Sequence, residues 1–412
     1  MKNVLAMVLA GGEGRRLYPL TRDRAKPAVP FGGMYRIIDF TLSNCINSGL
    51  RRIAVLTQYK SFSLDRHIRM GWNVLNVEAG EFVVSVPPQH RIGTDWYLGT
   101  ADAIHQNMYL VEQEKARQLL VLSGDHIYKM DYSKMVAFHN EMDADATVAA
   151  IRCPVADATR FGVIQVDAEG RISGFEEKPS NPTPLPDDPE SAYVSMGIYL
   201  FNVDRLKGAL LDDAKTASSH DFGKDVLPAM MKGGRLFAYD FAAASDFGSK
   251  GEKGYWMDIG TRDAYWEANM DLVSVSPRFN LYDEAWPVRT WQGQNPPAKF
   301  VFAQSDAEGG RRGEALDSIV CNGCIISGGR VRDSILSPNV RVGSYSEVSQ
   351  SILLDDALIG RHARLHKVIV DKRVEIPEKI EIGFDPEADR QRFAVTEKGV
   401  VVVTQEMIRR LG

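Results

Sequence analysis

Residues 4–29 read Val4-Leu5-Ala6-Met7-Val8-Leu9-Ala10-Gly11-Gly12-Glu13-Gly14-Arg15-Arg16-Leu17-Tyr18-Pro19-Leu20-Thr21-Arg22-Asp23-Arg24-Ala25-Lys26-Pro27-Ala28-Val29. The apolar run Val4–Leu9 is short enough for one strand, and it ends in glycines. A strand that feeds a glycine-rich loop lets backbone N–H groups approach a polyphosphate and point at it. Arg16 and Lys26 add fixed positive charge to that loop. The spacing is not a dinucleotide fingerprint, because Arg15-Arg16-Leu17 stands where the third glycine belongs. Nor is it a Walker A loop, since no Gly-Lys-Ser/Thr follows. The bland alternative is a strand-ending turn with two solvated arginines. The Lys26-Pro27-Ala28 that follows favours phosphate binding.

Working outward, Arg52–Thr57 and Leu119–Leu122 are further apolar runs, and amphipathic stretches such as Asp102–Glu114 and Lys134–Glu141 lie between them. This alternation predicts an α/β domain: a Rossmann-like, mostly parallel sheet with helices on both faces. Such sheets bind ligands beyond the C-terminal ends of their strands. Val163–Val166, the turn Asp167–Gly170 and Arg171–Glu176 read as a hairpin, and Tyr193–Phe201 as another strand. Pro179–Pro189 is a proline-rich surface loop. Asp263–Val273 reads as a helix ending before Pro277.

The last third repeats. Ile325, Val342, Ile359 and Ile376 are spaced by 17 residues, as are Val331, Val348 and Leu365, and Leu336, Leu353 and Val370. Three sides of about six residues, each with one inward apolar residue, make one coil of a parallel β-helix of hexapeptide type. The sequence therefore divides into 1–277, a linker at 278–315 with Pro287, Pro296-Pro297 and Gly309–Gly313, and a coil stack with C-terminal tail at 316–412.

Composition narrows the function. The 412 residues carry a formal net charge of −5, which argues against a protein that coats nucleic acid. No stretch approaches a membrane span, and the N-terminus lacks the layout of a signal peptide. Four cysteines make no disulfide framework. A cytoplasmic, multi-domain globular protein is expected. Cys321-x-x-Cys324 is half of a zinc or redox motif at most, so a small core residue is the better reading for each cysteine.

Gly124-Asp125 follows the Leu119–Leu122 strand, and a carboxylate there suits Mg²⁺ or else a plain turn or N-cap. Lys178, after a strand and before Pro179, suits a sugar phosphate. Tyr97, Tyr199 and Trp256 also read as half-buried aromatics, Tyr199 most of all.

The glycine loop with Lys26-Pro27 resembles the signature of the sugar-nucleotide pyrophosphorylases, a nucleotidyltransferase family. More closely, it is similar to the bacterial branch that makes ADP-glucose. Arg36-Ile37-Ile38-Asp39-Phe40, Trp96-Tyr97-x-Gly99-Thr100-Ala101-Asp102, Gly124-Asp125-His126-Ile127-Tyr128 and Glu176-Glu177-Lys178-Pro179 carry the same likeness. So do Ser195-Met196-Gly197, His220-Asp221-Phe222-Gly223-Lys224-Asp225 and Tyr255-Trp256-x-Asp258-Ile259-Gly260-Thr261. Arg15 departs from the pattern, which usually has serine or threonine there.

The resemblance implies the α/β domain followed by a left-handed parallel β-helix. It implies transfer of an adenylyl group from ATP to glucose 1-phosphate, with Arg16, Lys26 and Asp125 catalytic. Gly11, Gly12, Gly14, Arg16, Gln58, Gly99 and Thr100 would hold the nucleotide. Tyr97, Gly162, Glu177, Lys178, Ser195, Asp221 and Trp256 would hold glucose 1-phosphate, and Asp125 and Asp258 the Mg²⁺ cofactor. A homotetramer governed by anionic metabolites is further implied, with Arg24, Arg36 and Arg409 at effector positions. Asp23, Pro30 and Gln405 stand where bisphosphate-activated enteric relatives carry basic residues, so fructose 6-phosphate or pyruvate is the expected activator. Uridylyl or thymidylyl transfer, or a catalytically silent regulatory subunit, remain open at this point.

Overall fold

The computed structural model describes residues 1–89, 96–244, 254–304 and 310–411. Gly309, at the start of the glycine- and arginine-rich part of the expected linker, lies outside them. The chain forms two compact units that interleave in sequence. One comprises Met1–Gly12, Phe40–Trp256 and Asp283–Val288; the other comprises Glu13–Asp39, Met257–Tyr282 and Arg289–Gly412.

The first unit is built on a nine-stranded sheet. Its strands are β1 (Val4–Ala10), β2 (Arg52–Thr57), β3 (Phe82–Val86), β4 (Gln118–Ser123), β5 (Ala146–Pro154), β6 (Gly162–Val166), β7 (Ile172–Glu177), β8 (Ser191–Asn202) and β9 (Leu236–Asp240). The order is β7-β6-β8-β4-β1-β2-β3, with β5 joining β8 to β9. β1 is parallel to both neighbours, with Val8 opposite Val55 and Leu122. β8 runs antiparallel to β4, β5 and β6, so the sheet is mixed on that side. β6 and β7 form the expected hairpin.

Strand alternation sorts the side chains of β5 onto two faces. Ala146, Val148 and Ala150 join one core with Leu5, Met7, Leu119 and Val121. Helix α1 (Thr100–Gln106), the helix Met108–Gln113 and α2 (Val203–Asp213) also supply that core. Thr147 points the other way, where its hydroxyl meets the buried His139 Nδ1 at 2.8 Å from the helix Tyr132–Glu141. The amphipathic stretch Asp102–Glu114 is two helices, because the Asn107 amide turns back to Ala103 O and Tyr97 Oη at 2.8 and 2.9 Å.

The second unit contains the coil stack, a parallel β-helix with three sheets of five, five and six strands. Its first rungs are Lys299–Val301, inside the stretch that reads as linker, and Glu314–Leu316, across the end of that stretch. Val342, Ile359 and Ile376 stack inward as the repeat predicts, but Ile326 takes the inward place in the first coil, and Ile325 stacks on Arg341. The corner at Gly328-Gly329 is one residue shorter than its equivalents, and a one-residue slip turns a strand over. Asn339, Asp356 and Arg373 repeat a left-handed backbone at one corner, with φ of 66°, 61° and 58°. Tyr345, His362 and Lys379 do so at another.

One outward column of the stack is Ile319, Ile335, Ile352, Ile369 and Val402. The last four are buried. Helix α3 (Arg262–Val273) lies against this sheet, with the Trp266 indole N–H donating to Gln350 O at 2.8 Å. Gly33 packs there too: a Cβ on it would come within 2.6 Å of Cys321 Sγ. Cys324 is a residue of the β-helix core, as expected, whereas Cys321 is buried on this outer side. Burial pushes the Cys324 thiol up to about 11 and the Cys321 thiol up to about 12, so both stay protonated near neutrality. A second outward column alternates charge along Glu314, Arg330, Glu347, Arg364 and Glu381, and Arg364 bonds Glu347 and Glu381 at 3.2 and 2.6 Å.

Candidate active site

In the first unit, β1, β2 and β4 end side by side, because they are parallel neighbours. Gly11 and Gly12 follow β1, Gln58 follows β2, and Gly124-Asp125 follows β4. Gly11 is needed for close approach: a Cβ there would lie 2.9 Å from Gln58 Cβ and 3.1 Å from its Oε1. A Cβ on Gly12 would meet nothing, so that residue borders open space. Thr57, the last residue of β2, keeps a buried hydroxyl without a hydrogen-bond partner among the described residues. The Asp125 carboxylate accepts from Ser123 Oγ and lies 3.4 Å from His126 Nε2.

The antiparallel side of the same unit carries a second set. The Glu177 carboxylate sits between Gly162 and Gly223, where added Cβ atoms would lie 2.9 and 2.6 Å from its Oε2. Lys178 takes a left-handed backbone (φ 51°), is largely exposed, and ion-pairs with Glu177. Ser195 Oγ donates to Tyr199 Oη at 3.4 Å across an irregularity in β8 that separates Ser195 from Tyr199. Burial pushes the Tyr199 phenol up, and the nearby Asp221 and Glu177 charges add to this. Tyr199 therefore belongs with Ser195, Glu177 and Asp221, although by sequence it reads as a half-buried aromatic. Only the strand irregularity brings it there, and no periodic signal announces it. Trp256 packs edge-on against His126 and Phe161, at centroid distances of 5.0 and 5.2 Å. Its buried indole N–H has no partner among the described residues. Tyr97 Oη instead accepts from Asn107 at 2.9 Å, and burial raises its phenol.

Gly99 opens α1. A Cβ there would lie 2.2 Å from His220 O, so only glycine fits. Thr100 Oγ1 donates to Asp221 Oδ2 at 3.0 Å and accepts from Phe222 N at 3.0 Å. Asp221 also caps the following turn, taking Gly223 N at 2.9 Å and Lys224 N at 3.2 Å.

The second unit brings together Gly14, Arg16, Lys26 and Asp258. Gly14 adopts φ 63°, which a side chain disfavours, and a Cβ there would touch Thr21 and Lys26 at 2.9 and 3.0 Å. The Lys26 ammonium is buried and donates to Asp258 Oδ1 at 3.0 Å. A Cβ on Gly260 would lie 2.8 Å from Asp258 Oδ2 and 3.3 Å from Arg16 Nη2, so Arg16 shares that space. Arg15 points into solvent and ion-pairs with Glu13. The loop's departure from the family pattern is thus at an exposed side chain.

Further along this unit, Arg24 is buried against Asp371, with Nη1 to Oδ1 at 2.8 Å and Nη2 to Oδ2 at 3.4 Å. Next to Asp371, Lys372 pairs with Asp355 at 3.0 Å. Burial lowers the Lys372 ammonium below the usual lysine range, Asp355 opposes that, and the Arg36 and Arg24 charges reinforce it. Lys372 is a basic member of this group that no motif reading singled out; its proximity to Arg24 and Arg36 depends on the coil stack. Arg409 is exposed on the short helix Gln405–Arg409 and has no partner among the described residues. The residues at the three departures have other partners: Asp23 pairs Arg22, Pro30 O accepts from Tyr265 Oη at 2.7 Å, and Gln405 accepts from Glu375 N at 2.8 Å.

No helix among the described residues is long and apolar enough to cross a membrane. The sequence model of the nucleotidyl transferase family matches residues 5–275, and that of the GlmU-like C-terminal hexapeptide matches 296–403. The chain is 53% identical over 409 residues to a glucose-1-phosphate adenylyltransferase of Koribacter versatilis, covering 98% of this chain and 96% of the relative. It is 53% identical over 412 residues to the enzyme of that name from Rhodopirellula baltica, covering 99% and 91%. A third, from Anaeromyxobacter sp., is 51% identical over 411 residues, covering 99% of each chain.

Proposed function

Since the chain belongs to the nucleotidyl transferase family, and within it to the glucose-1-phosphate adenylyltransferases, we propose that it converts ATP and α-D-glucose 1-phosphate into ADP-glucose and pyrophosphate. The observation that carries this reading is the set Gly14, Arg16, Lys26 and Asp258: two fixed cations beside a carboxylate on a glycine loop. Gly11, Gly12, Gln58, Gly99 and Thr100 would complete the nucleotide contacts. Tyr97, Gly162, Glu177, Lys178, Ser195, Asp221 and Trp256 would hold the sugar phosphate. The unpartnered Trp256 N–H is a donor suited to a sugar hydroxyl.

In the reaction a phosphate oxygen of glucose 1-phosphate forms a bond to the α-phosphorus of ATP. The bond from that phosphorus to the bridging oxygen of pyrophosphate breaks, and the electron pair leaves with pyrophosphate. The attacking phosphate is largely ionised near neutrality, with a second pKa of about 6, so no general base is required. What remains is to hold several anions in line. Arg16 and Lys26 would spread positive charge over the phosphates of ATP, and Lys178 over that of the sugar. Asp125 and Asp258 offer the oxygen donors that Mg²⁺ prefers; Asp125 follows β4, and Asp258 is the last residue of the short strand Trp256–Asp258. Bound there, Mg²⁺ would neutralise charge on the transferred phosphates. Lys26 already occupies one Asp258 oxygen, so the ammonium and a cation would share that carboxylate.

We also propose a cytoplasmic homotetramer that supplies ADP-glucose for glycogen synthesis. Residues 1–277 would carry transfer, and the coil stack regulation and assembly. Arg24, Arg36 and Arg409 would bind anionic effectors, fructose 6-phosphate or pyruvate in preference to fructose 1,6-bisphosphate, because Asp23, Pro30 and Gln405 offer no cationic side chain for a second phosphate. The test is pyrophosphate release with glucose 1-phosphate, Mg²⁺ and each of ATP, UTP, dTTP and GTP, with and without each effector. A strong preference for ATP supports the reading. Preference for another nucleotide moves the substrate, and no release from folded protein points to a silent subunit.

A further inference from the structure

His220 is a part-buried polar junction that the reaction above does not use. It ends the loop that leaves α2, and it takes a left-handed backbone with φ 51°. Its Nδ1 lies 2.7 Å from Asp213 Oδ2, at the last residue of α2. Ser218 Oγ donates to the other oxygen of Asp213 at 2.7 Å and accepts from His220 N at 3.1 Å. Both side chains of the His220–Asp213 pair are largely enclosed. The His220 carbonyl in turn takes Ala101 N at 2.8 Å and Asp102 N at 3.3 Å, two amides of the first turn of α1 that lack an intrahelical partner. The very next residue is Asp221, whose carboxylate receives Thr100 Oγ1. One histidine thus fixes, through its ring, its carbonyl and its neighbour, both the start of α1 and the Asp221 turn.

We infer that His220 is a positioning residue, which, held by Asp213, sets Thr100 on the nucleotide side and Asp221 on the sugar side in one geometry. The inference rests on the reading of Thr100 and Asp221 as substrate contacts. The chemistry assigns the ring atoms: a carboxylate at 2.7 Å requires a proton on Nδ1, so Nδ1 donates to Asp213. Fixing this tautomer leaves Nε2 with no structural duty among the described residues. The His220 backbone then cannot rotate without losing the Asp213 bond, and α1 and the Asp221 turn move only together. Disturbing the junction should therefore weaken both substrates at once, not one alone.

The two amide substitutions separate the ring nitrogens. Asparagine places an N–H near Nδ1 and tolerates the left-handed backbone. Glutamine places its amide near Nε2 and takes the ring donor from Asp213 Oδ2, leaving that carboxylate only the Ser218 hydroxyl on its other oxygen. We expect His220→Asn to keep the apparent KM for ATP and for glucose 1-phosphate within about twofold. We expect His220→Gln to lose roughly ten- to a hundredfold in kcat/KM, with both KM values raised together. Asp213→Ala leaves the backbone of residue 220 untouched. It should match His220→Gln, and the double variant should lose nothing further, because the two residues act as one unit. Binding of glucose 1-phosphate and of a non-hydrolysable ATP analogue, measured by calorimetry on the full chain, gives the same comparison without turnover. Thermal melting keeps unfolding separate from it. If the wild-type protein binds neither ligand, the functional reading fails and the inference falls with it. If it binds both and Asp213→Ala stays at wild-type affinity, the inference alone is overturned. The inverse pattern, with glutamine active and asparagine inactive, would assign a substrate contact to Nε2 and overturn it as well.

Discussion

The strand ends of the first unit and the coils of the second treat polar atoms in opposite ways. At the end of β2 and beside His126 and Phe161, the buried Thr57 Oγ1 and Trp256 indole N–H have no partner among the described residues. Glycines there keep the backbone close to Gln58, Glu177 and His220. In the coil stack the polar residues close on one another. Ser334, Ser346 and Ser351 bond backbone carbonyls, and Glu314, Arg330, Glu347, Arg364 and Glu381 run in alternating sign up one column. Among the buried side-chain atoms of the described residues of the stack, Ser337 Oγ is the one exception without a partner. An unmade hydrogen bond in a buried site costs about 1–3 kcal/mol, which a repeat has no reason to carry and a ligand can recover. Open valence marks where the molecule meets a substrate, and closed valence marks where it only holds itself up.

That contrast is broken most directly by Asp125→Asn. It should lower kcat by roughly 10²–10³ while the melting temperature stays near that of the wild type. Near-normal turnover would remove Asp125 from the reaction. Next in size is Ile352→Ala in the covered isoleucine column, where Ile352 is 1% exposed. A cavity there should cost about 3 kcal/mol in urea unfolding and leave the kinetics of the folded enzyme alone. A large change in KM at constant stability would contradict a purely supporting role.

A smaller effect concerns pH. Burial lowers the His139 imidazole below the ordinary histidine value near 6.5, so the folded protein keeps it neutral while the unfolded chain takes up a proton. Its contribution to stability is present above that value and is lost as pH falls below it. His139→Gln should flatten the dependence of the urea midpoint on pH between 7.5 and 5.5. An unchanged slope would assign the acid sensitivity elsewhere. Smallest of all is Arg364→Ala in the exposed charged column, which should leave the melting temperature unchanged within error. A drop of several degrees would mean the column does more than remain soluble.

Much of this was legible in the residues. Arg52–Thr57 is a strand with the bounds its apolar run suggests, and the 17-residue period placed Val342, Ile359 and Ile376 in one inward stack. Gly11 and Gly14 of the first loop and Gly99 stand where a Cβ would collide, whereas Gly12 does not. Features set by contacts distant in sequence were not legible. The Gly328 corner shifts Ile326 inward by one residue, the irregularity in β8 swings Tyr199 to Ser195, and the coil stack brings Lys372 beside Arg24 and Arg36. Periodicity reports one face of one element, and each of these depends on two elements meeting.

The covered isoleucine column has a consequence for anyone who wishes to exchange parts between relatives. Residues 13–39 and 257–282 belong to the same compact body as the coils, bound to them through Arg24–Asp371, Gly33 against Cys321, and Trp266 on Gln350. A chimaera joined at residue 278 would keep one parent's phosphate loop and graft another parent's coils beneath it, cutting through a packed interior instead of a hinge. A viable transplant must carry three stretches of the gene together. For the same reason Lys26 and Arg16 travel with the coils, so any ligand that shifts the stack reaches the phosphate loop without a message having to cross from one body to the next.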